Sequence, residues 1–185
     1  MLFNSIDFLI FFPLVLIAYW LLNNDLKKQN ILLLISSYVF YAWWDWRFLI
    51  LIIVSSFIDY IAGLKIFNST SDKLRKNWLL VSLIANLGLL SVFKYYNFFA
   101  ESFSDLMNVF GWQPNDLTLN IILPVGISFY TFQTLSYTID IYRKEFKPTK
   151  DIIAFFTYIA FFPQLVAGPI ERASNLLPQV ERKRI

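Results

Sequence analysis

Residues 123–143 read LPVGISFYTFQTLSYTIDIYR, and this stretch decides the fold. It starts as an apolar span, yet hydroxyls and an amide thread it: Ser128, Tyr130, Thr131, Gln133, Thr134, Ser136, Tyr137 and Thr138. It closes on Asp140 and Arg143. A lipid-facing helix is built from Leu, Ile, Val and Phe, because an unpaired polar group in hydrocarbon costs free energy. The stretch is therefore expected to pack against protein or to line a wet cavity. Tyr130, Gln133 and Tyr137 fall at i, i+3 and i+7, one face of a helix, and Thr134 and Thr138 continue the adjoining stripe. Such a face either joins helices or donates hydrogen bonds to a bound molecule. Asp140 and Arg143, at i and i+3, either pair with each other at the membrane surface or position a ligand or partner.

A second unusual stretch follows at 161–172, FFPQLVAGPIER. It sets Pro163, Gln164, Gly168 and Pro169 inside an apolar run. Two readings stand: a kinked packing helix, or backbone groups presented at the mouth of a cavity.

The chain around these stretches reads as membrane scaffold. Of 185 residues, 57% are hydrophobic and only 16% are charged, against about 25% in soluble domains, and mean hydropathy is +0.54. The expected fold is an all-α polytopic transmembrane bundle with five to six hydrophobic segments. There is no Cys, which excludes disulfides and thiolate chemistry. There is no His, which removes the commonest general base and any Ser-His-Asp triad within this chain. No dense Asp/Glu cluster points to a metal, and basic residues confined to loops give no nucleic-acid surface. The opening MLFNSIDF lacks a basic n-region, so it reads as a first membrane helix and not a cleavable signal.

The expected segments lie near 6–22, 31–44, 48–64, 78–93, 121–141 and 152–170. Pro13 kinks the first. The second and third form a hairpin about a tight turn at Asp45, within the aromatic cluster FYAWWDWR. Asp59 either reaches the headgroups from a helix end or partners an internal basic or hydroxyl group. Asn86, near the middle of the fourth segment, is expected to bridge helices by hydrogen bonds. Residues 101–120 form the longest non-spanning piece, with a short amphipathic helix at MNVFGWQP.

Basic residues cluster by loop: Lys27 and Lys28; Lys65, Lys73, Arg75 and Lys76; Arg143, Lys144, Lys147 and Lys150; Arg172, Arg182, Lys183 and Arg184. Only Arg47 and Lys94 lie elsewhere. Five spans with the N-terminus outside put the first three basic loops in the cytoplasm, as positive-inside requires. A sixth full span would export the basic tail. The last segment is thus either re-entrant, broken at Pro163 and Gly168–Pro169, or a kinked full span.

These two motifs, with FYAWWDWRFLILIIVSSFIDYIAG (40–63), ANLGLLSVFKYYNFF (85–99) and the opening twenty residues, resemble the membrane-bound O-acyltransferase family. They are most similar to its alginate and peptidoglycan O-acetyltransferase branch. The resemblance implies an enzyme moving an acyl group, acetyl by the branch, to hydroxyls of an extracytoplasmic polysaccharide. Its setting would be the bacterial inner membrane, with the lipid bilayer, the polysaccharide acceptor and soluble acyl-transfer proteins as partners. No bound cofactor is implied; an acyl-CoA or acyl carrier would serve as donor substrate. The family's catalytic His lies in the second half of a longer chain, so residues 1–185 read as an N-terminal part, inactive alone. By the same resemblance, Tyr130, Gln133, Ser136, Tyr137 and Gln164 are candidates for the substrate path. Asn86, Asp140, Arg143, Pro163, Gly168 and Pro169 are positioning candidates. An export or transport component for a polysaccharide, or a degenerate remnant, is the alternative.

Overall fold

The computed structural model describes residues 1, 3–22, 24–111, 124–165 and 169–183. The described residues form helices and turns without strands. Gly168, Arg184, residues 121–123 of the fifth segment and residues 112–114 of MNVFGWQP lie outside them.

Helix α1 (Ile6–Leu21) opens on Ser5, whose hydroxyl accepts the Phe8 N–H, and it carries Pro13 without a break. None of its residues is buried, and Ile6, Leu9, Leu14, Ile17 and Leu21 are exposed. A face this apolar suits lipid, not water. Helix α2 (Leu26–Asn68) is capped by Asp25. It runs antiparallel to α1: the Met1 ammonium donates to the Phe40 carbonyl and Gln29 donates to the Tyr19 carbonyl.

The expected turn sits at Asp45, the residue inside α2 with extended backbone (φ −160°, ψ 112°). Its carboxylate accepts the Arg47 backbone N–H and the guanidinium. The two legs of α2 double back on each other there. Tyr60 donates to the Lys150 carbonyl, and Thr157 donates to the Asn30 carbonyl. Lys150 and Thr157 are seven residues apart, roughly 10 Å of helix, whereas a straight α2 would separate Asn30 from Tyr60 by roughly 45 Å.

Helix α3 (Asp72–Leu90) returns along the second leg. Arg75, read from the sequence as a loop residue, is instead on its first turn, buried over the Tyr142 ring. The helix does not stop near Phe93: a π-helical turn (Ser91–Tyr95) hands it to α4 (Tyr96–Val109). That helix occupies the first part of what was expected to be a non-spanning piece. It buries none of its residues, and Phe98, Phe99, Phe103 and Leu106 are exposed. Among the described residues, two helical stretches, Leu26–Asn68 and Asp72–Val109, are long and apolar enough to cross a membrane.

Helix α5 (Ile127–Tyr142) inserts between α2 and α3. Helix α6 (Ile152–Ala160), capped by Asp151, then packs on α2 and breaks at Phe161 before the short α7 (Phe162–Leu165). Nine residues of α6 rise about 14 Å, under half of a roughly 30 Å hydrocarbon layer. The Phe162 N–H reaches the Ser37 hydroxyl, and the Phe162 ring meets Phe40. Helix α8 (Ala173–Glu181) packs on α6. The Tyr158 hydroxyl meets the Glu171 carbonyl and Asn30 donates to the Val180 carbonyl. The two flanks of the last segment, at Lys150 and Val180, thus lie toward one end of the bundle. Of the fifteen described Lys and Arg residues, thirteen fall in the loops, the adjoining helix turns and the tail toward that end, leaving Arg47 and Lys94 elsewhere.

Candidate functional site

The polar face of α5 is buried, as its composition demands. Tyr130, Thr131, Gln133, Thr134, Tyr137, Thr138 and Asp140 are all buried. Much of the face closes on α3 in a hydrogen-bonded cluster. The Ser82 hydroxyl donates to Asp59, and the Asn86 amide donates to the other Asp59 oxygen at 2.8 Å and to the Ser82 carbonyl at 2.9 Å. Thr138 lies 3.0 Å from the Ser82 hydroxyl, and Thr134 donates to the Asn86 amide oxygen at 3.2 Å. Asp59, Ser82, Asn86, Thr134 and Thr138 are each 0% exposed. Asp59 thus takes internal hydroxyl and amide partners and does not reach the headgroups. Asn86 bridges α3, α2 and α5. Three helices meet at Asp59 with no cation in the cluster, so neutral donors alone satisfy the carboxylate.

On the other side of α5, Gln133 donates to the Tyr158 carbonyl at 2.9 Å, and the Tyr158 hydroxyl lies 3.3 Å from the Gln133 carbonyl. This reciprocal pair joins α5 to α6. Ser136 donates back to the Gln133 carbonyl. The Tyr137 ring packs on Phe155 at 4.7 Å and lies against Gly63, where a β-carbon would come within 2.7 Å of it. The Tyr137 hydroxyl sits by the Thr149 backbone without a well-formed hydrogen bond. Tyr130 and Thr131 differ: their hydroxyls are buried and find no partner among the described residues. A buried orphan hydroxyl costs free energy unless something outside the described protein atoms meets it.

The two sequence motifs touch. Gly126 caps α5 in the left-handed region (φ +78°), and a β-carbon on it would lie 2.6 Å from the Leu165 carbonyl oxygen. Tyr41 of α2 donates to the Val125 carbonyl beside it. Gln164 turns back on its own loop and donates to the Pro169 carbonyl at 3.0 Å, while Pro163 lines an apolar groove of about 300 Å³ with Phe12, Leu33, Phe162 and Val180. Asp140 and Arg143 do not form the ion pair that their spacing suggested. Arg143 is exposed and Asp140 is buried. The i, i+3 spacing fails because Arg143 already leaves the helix as its C-cap.

The hydroxyls of Thr134 and Thr138 were seen in the sequence as part of a stripe, but their partner Ser82 was not singled out. Ser55, Ser56 and Ser82 on neighbouring spans were the available signal.

Among the described residues no cluster of three or more Asp, Glu, Cys or His side chains could hold a metal. No protein-family model and no solved structure matches the chain. Curated proteins do. A protein of Pseudomonas aeruginosa named "Probable alginate O-acetylase AlgI" is 40% identical over 184 residues, covering 99% of this chain and 35% of the relative. The protein of the same name in Azotobacter vinelandii is 38% identical over 185 residues. A peptidoglycan O-acetyltransferase of Helicobacter pylori is 30% identical over 211 aligned positions, 39% of its length. The matched part is the N-terminal portion, and the chain spans little more than a third of these relatives.

Proposed function

From a chain related over 99% of its length to the N-terminal portion of alginate and peptidoglycan O-acetylases, we propose that residues 1–185 form the N-terminal part of a membrane O-acyltransferase. It would move an acetyl group to hydroxyls of an extracytoplasmic polysaccharide. The observation that carries this reading is similarity over 99% of the chain, a span that takes in both polar motifs. In the reaction an acceptor hydroxyl oxygen attacks the carbonyl of an activated acyl donor, an acyl-CoA or acyl carrier. The hydroxyl proton passes to a base and the donor's leaving group departs. This stretch holds no His, so the base belongs to the part of the relatives that it does not span.

The role left to these residues is to bind and orient. Tyr130 is the first candidate, because its buried hydroxyl has no hydrogen-bond partner among the described residues and would bond a substrate oxygen. Gln133, Ser136, Tyr137 and Gln164 would complete the wall of the path. Asn86, Asp140, Arg143, Pro163, Gly168 and Pro169 would hold its shape. The setting is the bacterial inner membrane, with the basic end cytoplasmic, the N-terminus outside and soluble proteins supplying or receiving the acyl group.

Deleting the gene in its own host tests this reading. Base-labile acetate released from exported and cell-wall polysaccharide should fall and should return with the intact gene. Unchanged acetate would overturn it. Complementing with Tyr130→Phe should restore normal membrane levels but roughly tenfold less acetate, the value of one hydrogen bond in a transition state. Full acetylation by that variant would remove Tyr130 from the substrate path.

A further inference from the structure

At the basic end, a cleft of about 510 Å³ opens between the last turn of α2, the first turn of α3 and the turn after α5. Arg75, Lys144 and Lys147 line it against a single carboxylate, Asp72, with Phe67 and Phe146 on its apolar side. Arg75 is already engaged: its guanidinium donates to the Tyr142 carbonyl and lies 3.7 Å from Asp72. Lys144 and Lys147 are exposed and make no ion pair among the described residues. The cleft therefore holds two uncompensated cations.

The backbone gives a second, independent sign. The turn after α5 is a Schellman motif: the Lys144 N–H donates to the Ile141 carbonyl at 3.0 Å and the Glu145 N–H to the Asp140 carbonyl at 2.9 Å. The residue after the C-cap of such a turn is usually Gly, since it must be left-handed. Here it is Lys144, at φ +64°. A strained lysine stands where glycine would be relaxed, and it lines the cleft.

We propose that this cleft holds the phosphate headgroup of an anionic phospholipid. Basic pockets between membrane helices recognise such headgroups by charge. Phe67, 51% exposed beside the cations, favours a ligand with an apolar body over a free anion. This site lies at the loop end of the bundle and does not depend on the acetyl-transfer reading.

The test uses protein purified from its own membranes and native mass spectrometry with added phosphatidylglycerol or phosphatidylcholine. Phosphatidylglycerol should be retained preferentially. Lys144→Gly with Lys147→Gln should weaken that retention roughly 30-fold, from two lysines near an anionic headgroup. Glycine is the residue the turn prefers, so the variant folds at least as well as the parent. Lys27→Gln with Lys28→Gln, at the same end but outside the cleft, should change little. Equal retention of the two lipids, or equal loss from the two variant pairs, would overturn the proposal. So would complete displacement of the lipid by millimolar inorganic phosphate, which would make this a site for a soluble anion.

Discussion

Replacing Gly126 by Ala should separate the two sequence motifs. Two terms act at this position. A side chain at φ +78° costs roughly 1–2 kcal/mol in the left-handed region. The new β-carbon would also lie 2.6 Å from the Leu165 carbonyl oxygen, a backbone atom of a residue that is 1% exposed. Relieving that contact must move α7, which is overpacking worth about 1–3 kcal/mol. The sum is about 2–5 kcal/mol. Two other glycines isolate the terms. Gly111 has φ +77° but nothing within 4 Å among the described residues, so Gly111→Ala should cost the backbone term alone. Gly88 lies inside α3 with nothing within 4 Å, so Gly88→Ala should stabilise by about 0.5–1 kcal/mol. Unfolding in detergent, followed by circular dichroism against added SDS, reads all three. If Gly126→Ala proved no worse than Gly111→Ala, the close approach to Leu165 would not be what binds the motifs together.

The Asp59 cluster should respond to the loss of its acceptor. Asp59→Ala removes two interhelical hydrogen bonds, about 1–3 kcal/mol in all by the measured range in membranes, and Asp59→Asn should lose less because one acceptor remains. The same SDS unfolding assay checks it, and an Asp59→Ala protein as stable as the parent would dissolve the cluster's structural role. Asp25 gives a pH-dependent effect. Its carboxylate is held below its usual value of 3.8, first by the Lys28 backbone N–H and then by the Lys28 side chain. A depressed carboxylate stabilises the fold above its unfolded pKa and loses that contribution as pH falls through the folded one. The stability gap between parent and Asp25→Asn should therefore be full at neutral pH and close as pH drops below about 4. A gap that widened in acid would contradict the capping role.

The parts of this fold that announce themselves in sequence are those where one residue type has one physical use. Asp45 amid tryptophans could only be a turn at an interface. A helix carrying Tyr130, Thr134 and Thr138 had to meet protein or a wet cavity, and Pro163 marked an interruption that falls at Phe161. Pairings were not legible. Asp59 and Ser82 are 23 residues apart on different helices, and nothing local distinguishes a carboxylate that meets a hydroxyl from one that reaches headgroups. The route from α3 into α4 was hidden for the opposite reason. The segment 91–99 has helical composition and aromatic interface composition at once, and a π-helical turn lets it serve both without a breaker residue. Lys144 was hidden because no sequence rule expects a lysine where a helix needs left-handed backbone.

The way the last segment is tied down also sets a timetable. Asn30 meets Val180 across 150 residues, Asn30 meets Thr157 across 127, and Ser37 meets Phe162 across 125. A ribosome adds roughly 5–20 residues per second, so the first leg of α2 waits on the order of 10 s for the segment that clasps it. Through that interval Ser37 can lean on the Leu33 carbonyl of its own helix, which spares its hydroxyl from bare hydrocarbon. The first leg of α2 is thus clasped only after some 125–150 further residues have been made.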